Sequence, residues 1–322
     1  MQPALSDRSD PPPGGLDHAR RDASLALAPI RLATRFLAEM QTSILCAGIA
    51  VFGGNLDRFA IFTLIMRQSV APPGDPRAVG ISINGLAQSL SYPFESMRRH
   101  VNALLAAGLC VRGPGGIAAA PDALQQPALA DVILLSHDCF VRLVEDLKRF
   151  DVPMPEHRDV PYDFMTGINA AIDLMLAVAD SNAQAHADWA ELVLFSAILC
   201  ANTKLYIHDP VLGRRYADQT AIPPRELLLP ISMRRVALAL SMPVSTAQRW
   251  ASHLQRDGRV VRTRGGLLVS EEWLNRPQNV AISTQSYHNI GRILHRVASQ
   301  GFPFEEPVRA YARGRPPSVA FA

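Results

Sequence analysis

The chain has 322 residues, 48% of them hydrophobic, and a formal net charge of +3 at pH 7. That length allows about two domains of ~150 residues, each with a full core, while the charge is too small to name a partner. The most apolar stretches, 43–53 and 192–200, are too short to span a bilayer, and the polar, Pro-rich start lacks a leader's apolar run, so neither an anchor nor a signal peptide is expected.

Residues 1–26 carry Pro11-Pro12-Pro13-Gly14-Gly15 among mixed charges and read as a disordered segment. From 29 to 50, Ile30, Leu32, Ala33, Phe36, Leu37, Met40 and Ile44 recur at helical spacing, and a second helical run covers 56–69. A loop at 71–80 with three prolines and two glycines ends it. A short helix at 83–91 follows, then a turn at Ser91-Tyr92-Pro93 and a longer helix at 94–107 that buries Met97, Val101, Leu104 and Leu105. Gly108 suits a left-handed cap, and the runs 109–112 and 117–120 form a hairpin around Gly113-Pro114-Gly115-Gly116. A helix at 128–150 closes this part. The order is then retraced: helices at 164–180 and 187–206, an irregular loop at 208–230, a short helix at 233–241, a turn at Met242-Pro243, a helix at 244–257, a hairpin at 259–270 and a helix at 282–299.

The retracing extends to residue identity. Shifted by 150 positions, residues 81–153 fall on 231–303 without a gap, with 18 of 73 identical and 13 of those in the first 40 positions. Unrelated chains would share roughly 5. The pairs include Leu90/Leu240, Pro93/Pro243, Arg99/Arg249, Leu104/Leu254, Gly108/Gly258 and Gly116/Gly266, so one architectural unit is used twice. The expected layout is 1–26 disordered, 27–156 a first unit, 157–303 a second unit, and 304–322 a basic Pro/Arg tail.

Helix, tight turn, helix and glycine-tipped hairpin is the order of a winged helix-turn-helix, whose second helix reads a DNA major groove. The open face of 94–107 offers Ser96, Arg98, Arg99 and Asn102, together with Glu95; that of 244–257 offers Ser245, Thr246, Gln248, Arg249, Ser252 and His253. Arg can grip guanine, and Gln or Asn adenine, through paired hydrogen bonds. Arg112, Arg262 and Arg264 place charge on the hairpins, where it can meet sugar and phosphate. Residues 231–270 hold seven Arg against one Asp, although 30 arginines to two lysines in an Ala- and Pro-rich chain also reflect a GC-rich coding bias.

The run Leu240-Ser241-Met242-Pro243-Val244-Ser245-Thr246-Ala247-Gln248-Arg249, continuing through Leu254 and Gly258 into Val260-Val261-Arg262-Thr263-Arg264-Gly265-Gly266, resembles the turn, recognition helix and wing of MarR-type and IclR-type regulators. The resemblance covers about 40 residues per copy. The order of the flanking helices is similar to that of MarR, where outer helices build a dimer interface. It implies a mainly α fold of two tandem winged-helix units whose outer helices (29–50, 128–150, 164–180, 282–299) pack as a pseudo-dimer. It also implies a cytoplasmic, nucleoid-associated regulator of double-stranded DNA. Phe94 and Glu95 depart from the pattern in the first copy. Arg313-Gly314-Arg315-Pro316 resembles an AT-hook core, whose arginines enter a narrow minor groove, although a solvated end is the plainer reading.

Enzyme signatures such as GxSxG, GxxxxGK and HExxH are missing, His137 reads as structural, and Cys46, Cys110, Cys139 and Cys200 form no CxxC pair and read as buried thiols. No cofactor or metal is expected. An interaction scaffold of the chromosome-organising kind and a replication initiator stay open as alternatives, as do a small-molecule effector and a homodimer.

Overall fold

A computed structural model describes residues 28–69, 80–156, 158–186 and 188–321; the expected disordered segment 1–26 and most of the loop at 71–80 lie outside them. The described residues form thirteen α-helices and two antiparallel two-stranded hairpins. The first part contains α1 (Ile30–Val51), α2 (Leu56–Ser69), α3 (Ile83–Ser89), α4 (Phe94–Ala106), β1 (Cys110–Gly113), β2 (Gly116–Ala119), α5 (Pro121–Leu124) and α6 (Pro127–Arg149). The second contains α7 (Phe164–Asn182), α8 (Trp189–Thr203), α9 (Pro210–Arg215), α10 (Met233–Ala239), α11 (Val244–Arg256), β3 (Val260–Thr263), β4 (Gly266–Val269), α12 (Glu271–Leu274) and α13 (Pro277–Ala298).

From α3 to α6 and from α10 to α13, every element begins 150 residues after its counterpart. The same apolar code explains both. Met97, Val101 and Leu104 are buried on α4, and Ala247, Ala251 and Leu254 occupy the same three positions on α11. Positions i, i+4 and i+7 line one side of a helix, so each turns its other side outward. Ser82 and Ser232 cap α3 and α10 by accepting from the amides of Gly85 and Arg235. Two residues beyond each short helix stands a serine with positive φ, 53° at Ser91 and 51° at Ser241, a conformation uncommon outside glycine.

The hairpins also share their anchoring. Ile81 pairs with Ile117 and Ile231 with Leu267, adding a one-residue third strand beside each hairpin. Gly116 (φ 117°) meets that bridge residue closely: a Cβ there would lie 2.6 Å from the Ile81 carbonyl oxygen. Behind the second hairpin, the Asn202 side chain donates to the carbonyls of Leu229 and Leu267 and accepts from the amide of Val269. Behind the first, Ser69 accepts from the amide of Ala119. So α2 and α8 each carry one hairpin on their apolar side.

The long helices pack across the two parts. α1 lies against α6, α8 and α13, and α7 lies against α6 and α13. Arg31, 5% exposed, reaches from α1 to Glu271 (3.0 Å) and Asn275, and Asp173 on α7 binds both Arg67 and Arg296. Near this seam the chain passes very close: a Cβ on Gly54 would come 2.5 Å from the Ser241 carbonyl oxygen. α7 has the length and composition of a membrane-crossing helix, unlike the shorter runs singled out in the sequence; here it buries Ile168, Ala171, Leu174 and Val178 among its neighbours.

Four local expectations need correction. The loop at 208–230 holds a helix, α9, which Asp209 caps by accepting from Val211 and Leu212, and a 3-10 turn at Arg225–Leu227. The last long helix starts at Pro277 rather than 282, because proline at a first helical position loses no needed donor. The short helices α5 and α12 follow their hairpins. Finally, the tail is not a solvated end. Asp138 accepts from the amides of Ala312 and Arg313, and Arg142 donates to the carbonyls of Pro316 and Pro317.

Candidate nucleic-acid interface

The open side of α11 presents Ser245, Gln248, Arg249 and Ser252, all exposed, with Thr246 half-buried at its edge. Arg262 and Arg264 stand exposed on the adjoining hairpin. Among the described residues no carboxylate pairs with Arg249, Arg262 or Arg264; Arg262 is steadied by Gln255 (3.3 Å), and the Arg249 guanidinium lies 5.3 Å from the Trp250 ring centre. The result is a polar and cationic strip in which Ser252 donates back to the Gln248 carbonyl and Arg262 to the Gln255 side chain, while Arg249 and Arg264 meet no carboxylate among the described residues. His253 does not join it. It is half-buried, points to Glu191 (3.3 Å) and packs against Trp250.

The equivalent strip on α4 differs in charge. Arg98 is exposed but closed onto Glu95 (2.7 Å), and Arg112 donates to Asn102 (3.2 Å). Arg99 is exposed, Ser96 half-buried, and Phe94 leaves 46% of its surface open at the helix start. The first strip is therefore more apolar and partly self-neutralised. Of the tail arginines, Arg313 pairs with Asp131 (2.6 Å), and Arg315 grips Glu145 and Asp146 (2.6 and 2.7 Å). Asp146 is only 2% exposed, and its carboxyl is pushed upward by burial against the pull of Arg315. Arg313 and Arg315 are both committed to the protein itself.

Between the two turns opens a cleft of about 630 Å³, lined by Tyr92 and Pro93 from one and Met242 and Pro243 from the other. Sequence spacing gave no sign of it. The Tyr92 hydroxyl donates to Asp57 (2.5 Å), and the Trp189 indole donates to the Tyr92 oxygen (2.8 Å). Burial and the neighbouring Asp57 both push the Tyr92 phenol upward, so it stays a donor. His186, 5% exposed, lines the same cleft. Its Nδ1 accepts from Arg259 (2.9 Å), burial and that guanidinium depress its pKa to about 3, and its Nε2 has no partner.

The four cysteines are free. Burial raises the thiols of Cys46 and Cys110 to about 12 and Cys139 to about 11, far from a reactive thiolate; Cys46 is half-buried and the others buried. His137 is wholly buried between Asp138 (2.8 Å) and Tyr162 (3.0 Å). Among the described residues no group of three or more His, Cys, Asp or Glu is placed to hold a metal. Comparison with family models, curated proteins and solved structures finds no match to the chain.

Proposed function

We propose that this chain binds double-stranded DNA as a sequence-specific regulator, through two winged helix-turn-helix units that arose by internal duplication and sit as a single-chain pseudo-dimer. One observation carries the reading. The outward side of α11 and its hairpin offers Gln248, Arg249, Arg262 and Arg264 together, with no carboxylate in ion-pair contact with the arginines among the described residues. The common element boundaries of the two parts support the duplication, and the packing of α1 and α7 across them supports the pseudo-dimer. In this reading α11 makes the main base contacts. α4, with its Glu95–Arg98 pair and open Phe94, contributes a weaker and different half. The target site is then asymmetric, with two reading helices facing successive major grooves about 34 Å apart.

Selection of bound duplexes from a random pool, followed by gel shifts at several salt concentrations, tests this. Arg249→Ala should cost about 1–3 kcal/mol and relax base choice, whereas Arg264→Ala should weaken every sequence alike and flatten the salt slope by about one unit. If the pool yields no enriched sequence, or both variants bind like the parent, the proposal is wrong. Capture of a protein through Phe94 and its surroundings would then favour the scaffold.

A further inference from the structure

We infer that the cleft between the two turns is a binding site for a planar organic cation that carries a hydrogen-bond acceptor. Its volume of about 630 Å³ suits a small molecule. Three aromatic side chains line it: Tyr92, Trp189 and Trp250. Flat rings with electron-rich faces favour flat, positively charged partners. The charge around them agrees. Asp57, Asp180 and Asp188 line the cleft against a single cation, Arg249, whose guanidinium already lies over Trp250. Asp180 is exposed and makes no ion pair among the described residues. Asp188 spends one oxygen capping α8 through the Ala190 amide, and Asp57 serves Tyr92 and Trp189.

The acceptor requirement comes from His186. Arginine can only donate, so the Nδ1 that meets Arg259 must accept, and in a neutral ring the proton then sits on Nε2. That N–H is buried and has no partner, an arrangement proteins rarely leave unanswered. Nε2 is closed to water in this structure, so a ligand carbonyl would reach it through a small shift of the lining side chains while the ligand's own ring stacks on tryptophan. No other buried polar side-chain atom left without a partner among the described residues belongs to a residue lining this cleft.

The test uses three matched probes: 3-carbamoyl-1-methylquinolinium (cation), quinoline-3-carboxamide (neutral) and quinoline-3-carboxylate (anion). Calorimetry and tryptophan fluorescence are recorded on the full chain without DNA, so the outcome does not depend on whether the protein binds DNA. Two of its three tryptophans line the cleft. The cation should saturate the site with a Kd of ~1 mM or tighter, roughly tenfold better than the neutral probe, with the anion weakest. Asp180→Asn, at an exposed position, should erase much of the cation's advantage and leave the neutral probe unchanged. His186→Asn should weaken the carbamoyl cation but not plain 1-methylquinolinium. Equal binding of cation and neutral probe, tightest binding of the anion, or no saturation by the cation overturns the assignment. Unchanged cation affinity in folded Asp180→Asn overturns it equally.

Discussion

His186 makes the stability of the protein depend on pH in a way that one substitution removes. The ring is 5% exposed, and burial, then the Arg259 guanidinium, lower its pKa from 6.5 to about 3. The unfolded chain therefore takes up a proton at a pH where the folded chain refuses it. Stability is complete above about 6.5 and drains away as the pH falls towards 3, at about 1.4 kcal/mol per unit. Between pH of about 8 and about 4.5 the loss from this group alone comes to about 2–3 kcal/mol, and screening reduces it little because the ring is enclosed. His186→Asn keeps an acceptor near Arg259 and cannot be protonated. Urea unfolding of parent and variant at both pH values isolates the term, because any constant cost of the substitution cancels. The parent should lose about 2–3 kcal/mol more than the variant. If both lose the same amount, His186 takes up its proton as readily in the fold as outside it, and its Nδ1 is not the acceptor of Arg259 that the neutral ring requires.

Three further outcomes follow from the geometry. Leu254→Ala, at a fully buried position under the exposed strip, should lower unfolding stability by about 3–5 kcal/mol in chemical denaturation. Gly258→Ala (φ 70°, open space around it) should cost about 1 kcal/mol, while Gly266→Ala should cost clearly more, because its Cβ would strike the Ile231 carbonyl; thermal melts of the two variants give the comparison. Arg315→Ala leaves the buried Asp146 short of its partner and should cost about 1–3 kcal/mol, discounted for the partly exposed guanidinium, while gel-shift affinity for duplex DNA stays the same.

Local apolar spacing made the repeated core readable. Met97, Val101 and Leu104 and their counterparts obey one helical period, and a glycine follows each helix, so α4, α11 and both hairpins stand within a residue or two of expectation. Sequence reading put Ser91 in a turn and Ser241 at the end of a helix; that each serine takes a left-handed conformation depends on closure of the helix before it, which spacing does not encode. The cleft was invisible for a different reason. Tyr92, Asp57 and Trp189 meet across 35 and 97 residues of sequence, and His186 meets Arg259 across 73. Composition misled at the tail, where Arg313 and Arg315 suggested a free basic end. Their acidic partners, Asp131, Glu145 and Asp146, lie on a helix some 170 residues earlier.

The close passage of Gly54 under the Ser241 carbonyl bears on how the two halves can move. A backbone passage this close resists one turn sliding past the other, and so holds the two outward helices at one spacing. For the DNA binding proposed above, this means a fixed gauge: lengthening the spacer between the two half-sites by about half a helical turn would rotate one of them out of phase with its helix.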